Sequence, residues 1–197
     1  METSQIFTAR RSIYSLNDKV DLDRAEINKL VENCLKQAPS AFNSQSSRLI
    51  ILYDSAYQKF WNLTLQLLKP LTPPDKFAQT TEKISAFQQG LGTILFFEDS
   101  TIVQNLQRQY PLYADSFLKW AMQSNAMLQY MIWTALAEKN IGASLQHYNP
   151  LVDELVKTEF HAPKTWKLIA QMPFGGIAHL ALPKTFEPIA PRLKILS

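Results

Sequence analysis

Two adjacent arginines and a serine, Arg10-Arg11-Ser12, stand near the N-terminus. Guanidinium groups present forked N–H donors that match phosphate oxygens, and the hydroxyl adds another donor. The same cations would also suit the negative end of a helix dipole, so the triplet alone leaves a solvated helix end open. A second polar concentration comprises Ser40, Asn43, Ser44, Gln45 and Ser46, with Phe42 among them. Asn and Gln amides carry donor and acceptor together, which suits heterocycle edges such as a pyrimidine-dione; a phenyl ring can pack on a flat ring. Such residues are also ordinary turn formers. The stretch Pro39 to Ser47 runs nine residues without glycine, whereas connections usually take about 4–6 residues. A third segment, Gly142-Ala143-Ser144-Leu145-Gln146-His147-Tyr148-Asn149-Pro150, places backbone donors together, or else simply joins two helices.

Other chemistries lack their signatures. There is no G-x-G-x-x-G, no P-loop and no G-x-S-x-G elbow, and the chain has only five glycines. His147, His161 and His179 have no second ligand at helical spacing, so no metal site is expected. The net charge is +3 with the cations spread along the chain, which gives no support to nucleic-acid binding. Apolar runs such as LIIL and ILFF fall far short of a membrane span, and the N-terminus carries no apolar signal region. The sole cysteine, Cys34, excludes an internal disulfide and fits a reducing cytoplasm; it reads as a small core residue.

The elements that must position these groups are mostly helices. Ser4 is placed to cap a first helix ending near Ile13, with Arg10-Arg11-Ser12 in its last turns. Asp23 and Glu26 form a capping-box pair ahead of Ile27, Leu30, Val31, Cys34, Leu35 and Ala38, the apolar stripe of a second helix that Pro39 ends. Leu49 to Tyr53 and Thr93 to Phe97 read as strands buried on both faces. Helices are expected from Asp54 or Ser55 to Leu68, from Asp75 to Gln89, and around Ile102 to Leu106. The segment 115–139 is apolar around most of its circumference, through Phe117, Leu118, Ala121, Met122, Leu128, Ile132, Trp133 and Leu136. It should therefore be a buried helix, stopped by Asn140 and Gly142. Asn149-Pro150 should cap the next helix. Lys167 to Met172 and Ile177 to Leu182 read as two strands, and Arg192 to Leu196 as an edge or swapped strand. The sum is one α+β domain over residues 1–197, a sheet with helices on both faces, and the long central helix favours a homodimer.

The ordered set "ARRSIY", "APSAFNSQSSR", "GASLQHYNP" and "AQMPFG" resembles the flavin-dependent nitroreductase family, in its fatty-acid-repression-mutant-like, short-chain branch. The resemblance spans nearly the whole chain. It implies a three-layer α/β/α sandwich, a domain-swapped homodimer and one FMN in each of two interface sites. By that resemblance Arg10, Arg11 and Ser12 hold the FMN phosphate and ribityl end. Ser40, Phe42, Asn43 and Gln45 come from the partner subunit, and Leu145, Gln146 and His147 line the isoalloxazine, largely through backbone groups. Arg192 and Lys194 complete phosphate binding. Two departures stand out: Tyr14 occupies a place that is basic in many members, and Gln146-His147 replaces a paired glycine. The implied activity is NAD(P)H-dependent reduction of nitroaromatic or quinone-type acceptors, with the nicotinamide as a transient co-substrate and no catalytic side chain. Trp120, Phe117 and Tyr148 would line the substrate face or serve as core. The alternatives are a flavin- or lipid-responsive regulatory protein of the same fold and a structural homodimer without FMN.

Overall fold

The structure is a computed structural model describing residues 3–196. Its sheet is organised around β5 (Trp166–Ile177). β5 pairs antiparallel with β3 (Gly92–Asp99) and, past the end of β3, with β1 (Leu16–Asn17) on one side, and with β4 (Ile141–Ala143) on the other. β2 (Ser47–Tyr53) extends the sheet beyond β3, and the hydrogen-bonded path runs β1-β5-β3-β2. Successive side chains of a strand point to opposite faces. Along β3, Ile94 and Phe96 accordingly join one core while Leu95 and Phe97 join the other.

Each face has its own helical layer. On the first, Ile27 and Val31 of α2 (Arg24–Gln37) and Leu128, Ile132 and Leu136 of α6 (Ala114–Glu138) meet Ile94, Phe96, Met172 and Phe174. On the second, α3 (Asp54–Leu68) contributes Tyr57, Phe60 and Trp61, α4 (Pro74–Gln88) Ile84 and Phe87, and α7 (Asp153–Glu159) Val156. Burying each such large apolar side chain contributes roughly 1.5–3 kcal/mol before chain entropy is subtracted. The architecture is the expected α+β three-layer sandwich. The capping box of α2 also forms: Glu26 N donates to Asp23 Oδ1 at 2.8 Å and Asp23 N to Glu26 Oε2 at 2.9 Å. Cys34 is half-buried against the first core.

Several local expectations are corrected. α1 (Thr3–Ala9) contains Ser4 rather than being capped by it, and it stops at Ala9. The chain leaves the helix because Ile13 N bonds Ala143 O at 2.9 Å and Ser12 bridges Ala143. Gly142 is no helix stop; it lies in β4, where a Cβ would meet Ile13 Cγ2 at 2.9 Å. Asn149 does not cap a helix either: its peptide bond to Pro150 is cis, and α7 begins at Asp153. Lys167–Met172 and Ile177–Leu182 are not two strands. β5 runs unbroken through Pro173-Phe174-Gly175-Gly176 and ends at Ile177. A Cβ on Gly176 would sit 2.1 Å from Lys19 O, so the glycines that read as punctuation serve the close approach of β1. Residues 192–196 form no strand within the chain.

Two elements expected to be fully buried are half exposed. β2 is an edge strand in which only Leu52 is buried. α6 turns a single stripe to the sheet and leaves Leu118, Met122, Met127 and Tyr130 in solvent. α5 (Ser100–Gln109) covers part of it, its Val103 clustering with Phe117 and Ala121 of α6.

Candidate functional site

Arg10 is the first residue beyond α1 and still bonds back to it, N to Ile6 O at 3.0 Å. Its guanidinium lies over the Trp133 ring, 4.3 Å from the centroid, and 5.8 Å from that of Tyr130. Nε is buried without a hydrogen-bond partner. No protein acceptor for the guanidinium occurs among the described residues. Arg11 differs: its Nη2 donates to Leu182 O at 2.6 Å, which fixes the exposed segment after β5 against the arginines. Arg10, Arg11, Ser12 and Tyr14 line a cavity of about 550 Å³ together with Ala181 to Lys184. Three cations and two hydroxyl-bearing residues, Ser12 and Tyr14, therefore line one space, and no carboxylate among the described residues does. That donor set suits a dianion.

The arginine segment is tied to β4 and the segment that follows it. Ala143 O accepts both from Ile13 N at 2.9 Å and from Trp133 Nε1 at 3.1 Å. One carbonyl thus ties the arginine segment to the helix that supports Arg10. Beyond it the chain alternates like a strand. Ser144 N bonds Pro173 O, Gln146 N bonds Gln171 O at 2.7 Å, and Tyr148 N bonds the Gln171 side chain at 2.8 Å. The intervening amides of Leu145 and His147 have no acceptor among the described residues. Gln146 is buried, its Nε2 donating to Ser144 Oγ at 3.1 Å, so its side chain fills the interior. Leu145 is half-buried and His147 exposed.

Tyr14 is half exposed and borders a second cavity lined by Gln79, Thr80, Glu82 and Lys83. Lys83 Nζ lies 6.0 Å from the Tyr14 ring and 5.8 Å from that of Tyr148. The cation missing at position 14 is thus brought beside the tyrosine from α4. Burial pushes the Tyr148 phenol up to about 12, so it stays neutral at physiological pH.

The amide-rich loop is elsewhere in the chain. Ser40 and Gln45 line a separate cavity of about 500 Å³ with Lys36, Arg48 and Ser124. Ala41–Asn43 make one 3-10 turn, and Phe42, Asn43 and Gln45 have φ of 56°, 50° and 46°. L-residues seldom occupy that region, and local bonds hold it here. Gln45 N donates to Ser40 Oγ at 3.0 Å, and Arg48 Nη1 donates to Gln45 O at 2.7 Å. The Phe42 ring sits among Tyr110, Tyr113, Phe117 and Trp120, 4.8 Å from Tyr110 and near-parallel to Trp120. Phe117 is core, while Trp120 and Tyr148 are half-buried.

Arg10, Arg11 and Ser12 are brought together, and β4 carries them to Leu145, Gln146 and His147. The chain does not bring Ser40, Phe42, Asn43 and Gln45 into the same cavity. Arg192 and Lys194 lie in the exposed C-terminal segment; the basic residue of that segment lining the arginine cavity is Lys184. Sequence reasoning missed Lys184, Lys83 and the support of Arg10 by Trp133. Only Trp133 left a trace in the sequence, as an aromatic on the apolar stripe of α6. Among the described residues no cluster of three metal-ligating side chains occurs, and no helix is long and apolar enough to cross a membrane.

Comparison with known proteins places this geometry among relatives. Residues 7–176 match the model of the Nitroreductase family. The chain is 31% identical over 183 residues to nitroreductase FRM2 of Saccharomyces cerevisiae, covering 91% of this chain and 90% of that one. It is similar along 100% of both chains to the nitroreductase CinD of Lactococcus lactis, solved with chloramphenicol (40% identity, TM-score 0.91) and with 4-nitrophenol (40%, 0.90). A nitroreductase-type structure from Exiguobacterium sibiricum in complex with FMN shares the fold at 12% identity, with a TM-score of 0.74 over 100% of this chain and 98% of that one.

Proposed function

The chain belongs to the nitroreductase family, and from that premise we propose that it is an FMN-dependent oxidoreductase that takes electrons from NAD(P)H and reduces small nitroaromatic or quinone-type acceptors. The observation that carries the reading is the arginine cavity. A guanidinium with a buried Nε and no acceptor among the described residues, two further cations, the Ser12 hydroxyl and no described carboxylate in the lining fit the FMN phosphate. The adjoining unpaired amides of Leu145 and His147 fit the polar edge of a flat heterocycle. Bound there, FMN would supply the two-electron redox chemistry between nicotinamide and acceptor.

The residues of this chain bind and orient. Arg10, Arg11 and Ser12 hold the phosphate end, with Lys184 and Lys83 adding charge at its two sides and Arg192 and Lys194 available from the C-terminal segment. The segment Leu145-Gln146-His147 offers backbone donors held rigid by its bridge to Gln171. The second wall is assigned to the loop of a partner subunit. Ser40, Phe42, Asn43 and Gln45 of one copy face the arginines of the other, and the exposed apolar stripe of α6 supplies the homodimer interface. The relatives solved with 4-nitrophenol and chloramphenicol support small aromatic acceptors for this chain. A cytoplasmic, single-domain protein accords with this reading.

The test is spectroscopic. Purified protein should show flavin absorbance or acquire it from added FMN. NADH or NADPH should bleach it without oxygen, and 4-nitrophenol or a quinone should restore it. A colourless protein that takes up no FMN overturns the proposal. For the dimer, Arg10→Ala protein mixed with protein altered at Phe42 should regain a share of FMN binding, because a mixed dimer contains one intact site. Absence of any recovery after subunit exchange places both walls in one chain.

A further inference from the structure

Arg10 is the one cation of the arginine cavity whose guanidinium has no protein acceptor among the described residues, yet it is not loose. Its Cζ lies over the Trp133 ring, 4.3 Å from the centre, and Tyr130 stands about one helical turn earlier at 5.8 Å. Trp133 is itself held at its other end, because Nε1 donates to Ala143 O at 3.1 Å. The same carbonyl accepts from Ile13 N, so the spacing between the arginine segment and the indole is set by one atom. Arginine is commonly oriented by a carboxylate, which occupies its donors and cancels its charge. An aromatic face orients the same group through the ring quadrupole and leaves the N–H donors and the full charge available.

We infer that Trp133 is a positioning residue for anion binding: its ring holds Arg10 flat and unpaired so that the terminal guanidinium nitrogens meet the phosphate of the ligand. This rests on the reading of the cavity as the phosphate end of an FMN site, and it assigns that job to a residue outside every motif of the chain. Trp133 does not touch the phosphate; it acts through Arg10. A Phe at 133 keeps a π face but loses the bond to Ala143, whereas Leu loses both.

The experiment compares FMN with riboflavin, which lacks the phosphate, by fluorescence titration of the apoprotein. Trp133→Leu should weaken FMN about tenfold, the scale of a partly desolvated cation–π contact, and leave riboflavin affinity unchanged. Trp133→Phe should recover most of the loss. In an Arg10→Leu background, Trp133→Leu should cost no further FMN affinity. If Trp133→Leu does not fold, Trp133→Met fills more of the volume without a π face and takes its place. Unchanged FMN affinity in the Leu or Met variant overturns the inference while leaving the site intact. A parallel loss of FMN and riboflavin also overturns it, since the ring would then support the pocket as a whole. Wild-type protein that binds neither flavin overturns the cavity reading and this inference with it.

Discussion

Arg10 and Arg48 carry the same guanidinium in opposite surroundings. Arg48 donates from Nη1 to Gln45 O at 2.7 Å and to Ser47 O at 3.0 Å, and Nη2 lies 3.4 Å from Asp99. Its donors close the amide loop on itself. Arg10 has aromatic rings on its face and no acceptor among the described residues. The loop around Ser40 to Gln45 is therefore a preformed shape, whose strained φ values are held by internal bonds. The arginine cavity is a preformed charge with no partner for Arg10 among the described residues. A polar cluster in sequence does not distinguish these cases; the bookkeeping of hydrogen bonds does.

The comparison can be broken most directly at Arg10. Arg10→Ala should weaken FMN more than tenfold, from loss of a charged hydrogen bond of about 1.5–3 kcal/mol. The apoprotein should lose only the ring contact with Trp133, about 1 kcal/mol, because no described protein acceptor loses a donor. A large fall in apoprotein stability with unchanged FMN affinity would make Arg10 structural like Arg48. Arg48→Ala should do the reverse in the isolated loop, costing about 1–2 kcal/mol after allowance for its partial exposure. At this chain length each kcal/mol lowers the melting temperature by about 2–4 °C, readable by calorimetry. Ser40→Ala removes the acceptor of Gln45 N and should cost about 1 kcal/mol. If it also weakens riboflavin, the hydroxyl faces the flavin as well as its own loop.

Raising ionic strength sharpens the contrast without mutation. FMN affinity should fall with salt, because an anion in a cationic cavity is screened, while riboflavin affinity stays flat. The smallest effect is expected at Gln45, whose φ of 46° is one that glycine adopts freely. Gln45→Gly should raise the melting temperature by the equivalent of about 0.5 kcal/mol, relief of strain being partly offset by a more flexible unfolded chain. A clear fall would show that the Gln45 side chain makes a contact the local bonds do not account for.

Helices with an apolar stripe were legible from the sequence because a 3.6-residue period needs no knowledge of the partner. α2 with its Asp23 capping box and α4 ahead of Gly90 are the cases in point. β3 was legible because a strand covered on both faces is apolar at every position. The failures share a cause. β1 and β4 are too short to show a period, and they exist only because β5 offers them hydrogen bonds. Gly175 and Gly176 read as a break, but their lack of a Cβ is what admits β1. α6 reads as buried all round, because an exposed apolar stripe has the same composition as a covered one.

The sequence by itself determined the layers, the helix boundaries near their caps and the two polar concentrations, since these follow from propensity and periodicity. It also carried the motifs that mark the family. Tertiary structure alone decided that the arginine segment leaves its helix, because the pull comes from Ala143, far along the chain. It alone brought Lys83 beside Tyr14 and Lys184 to the cavity, and set Trp133 under Arg10. Charge and hydrogen-bond satisfaction are properties of neighbours in space, so only the fold could separate the engaged guanidinium of Arg48 from that of Arg10, which has no acceptor among the described residues.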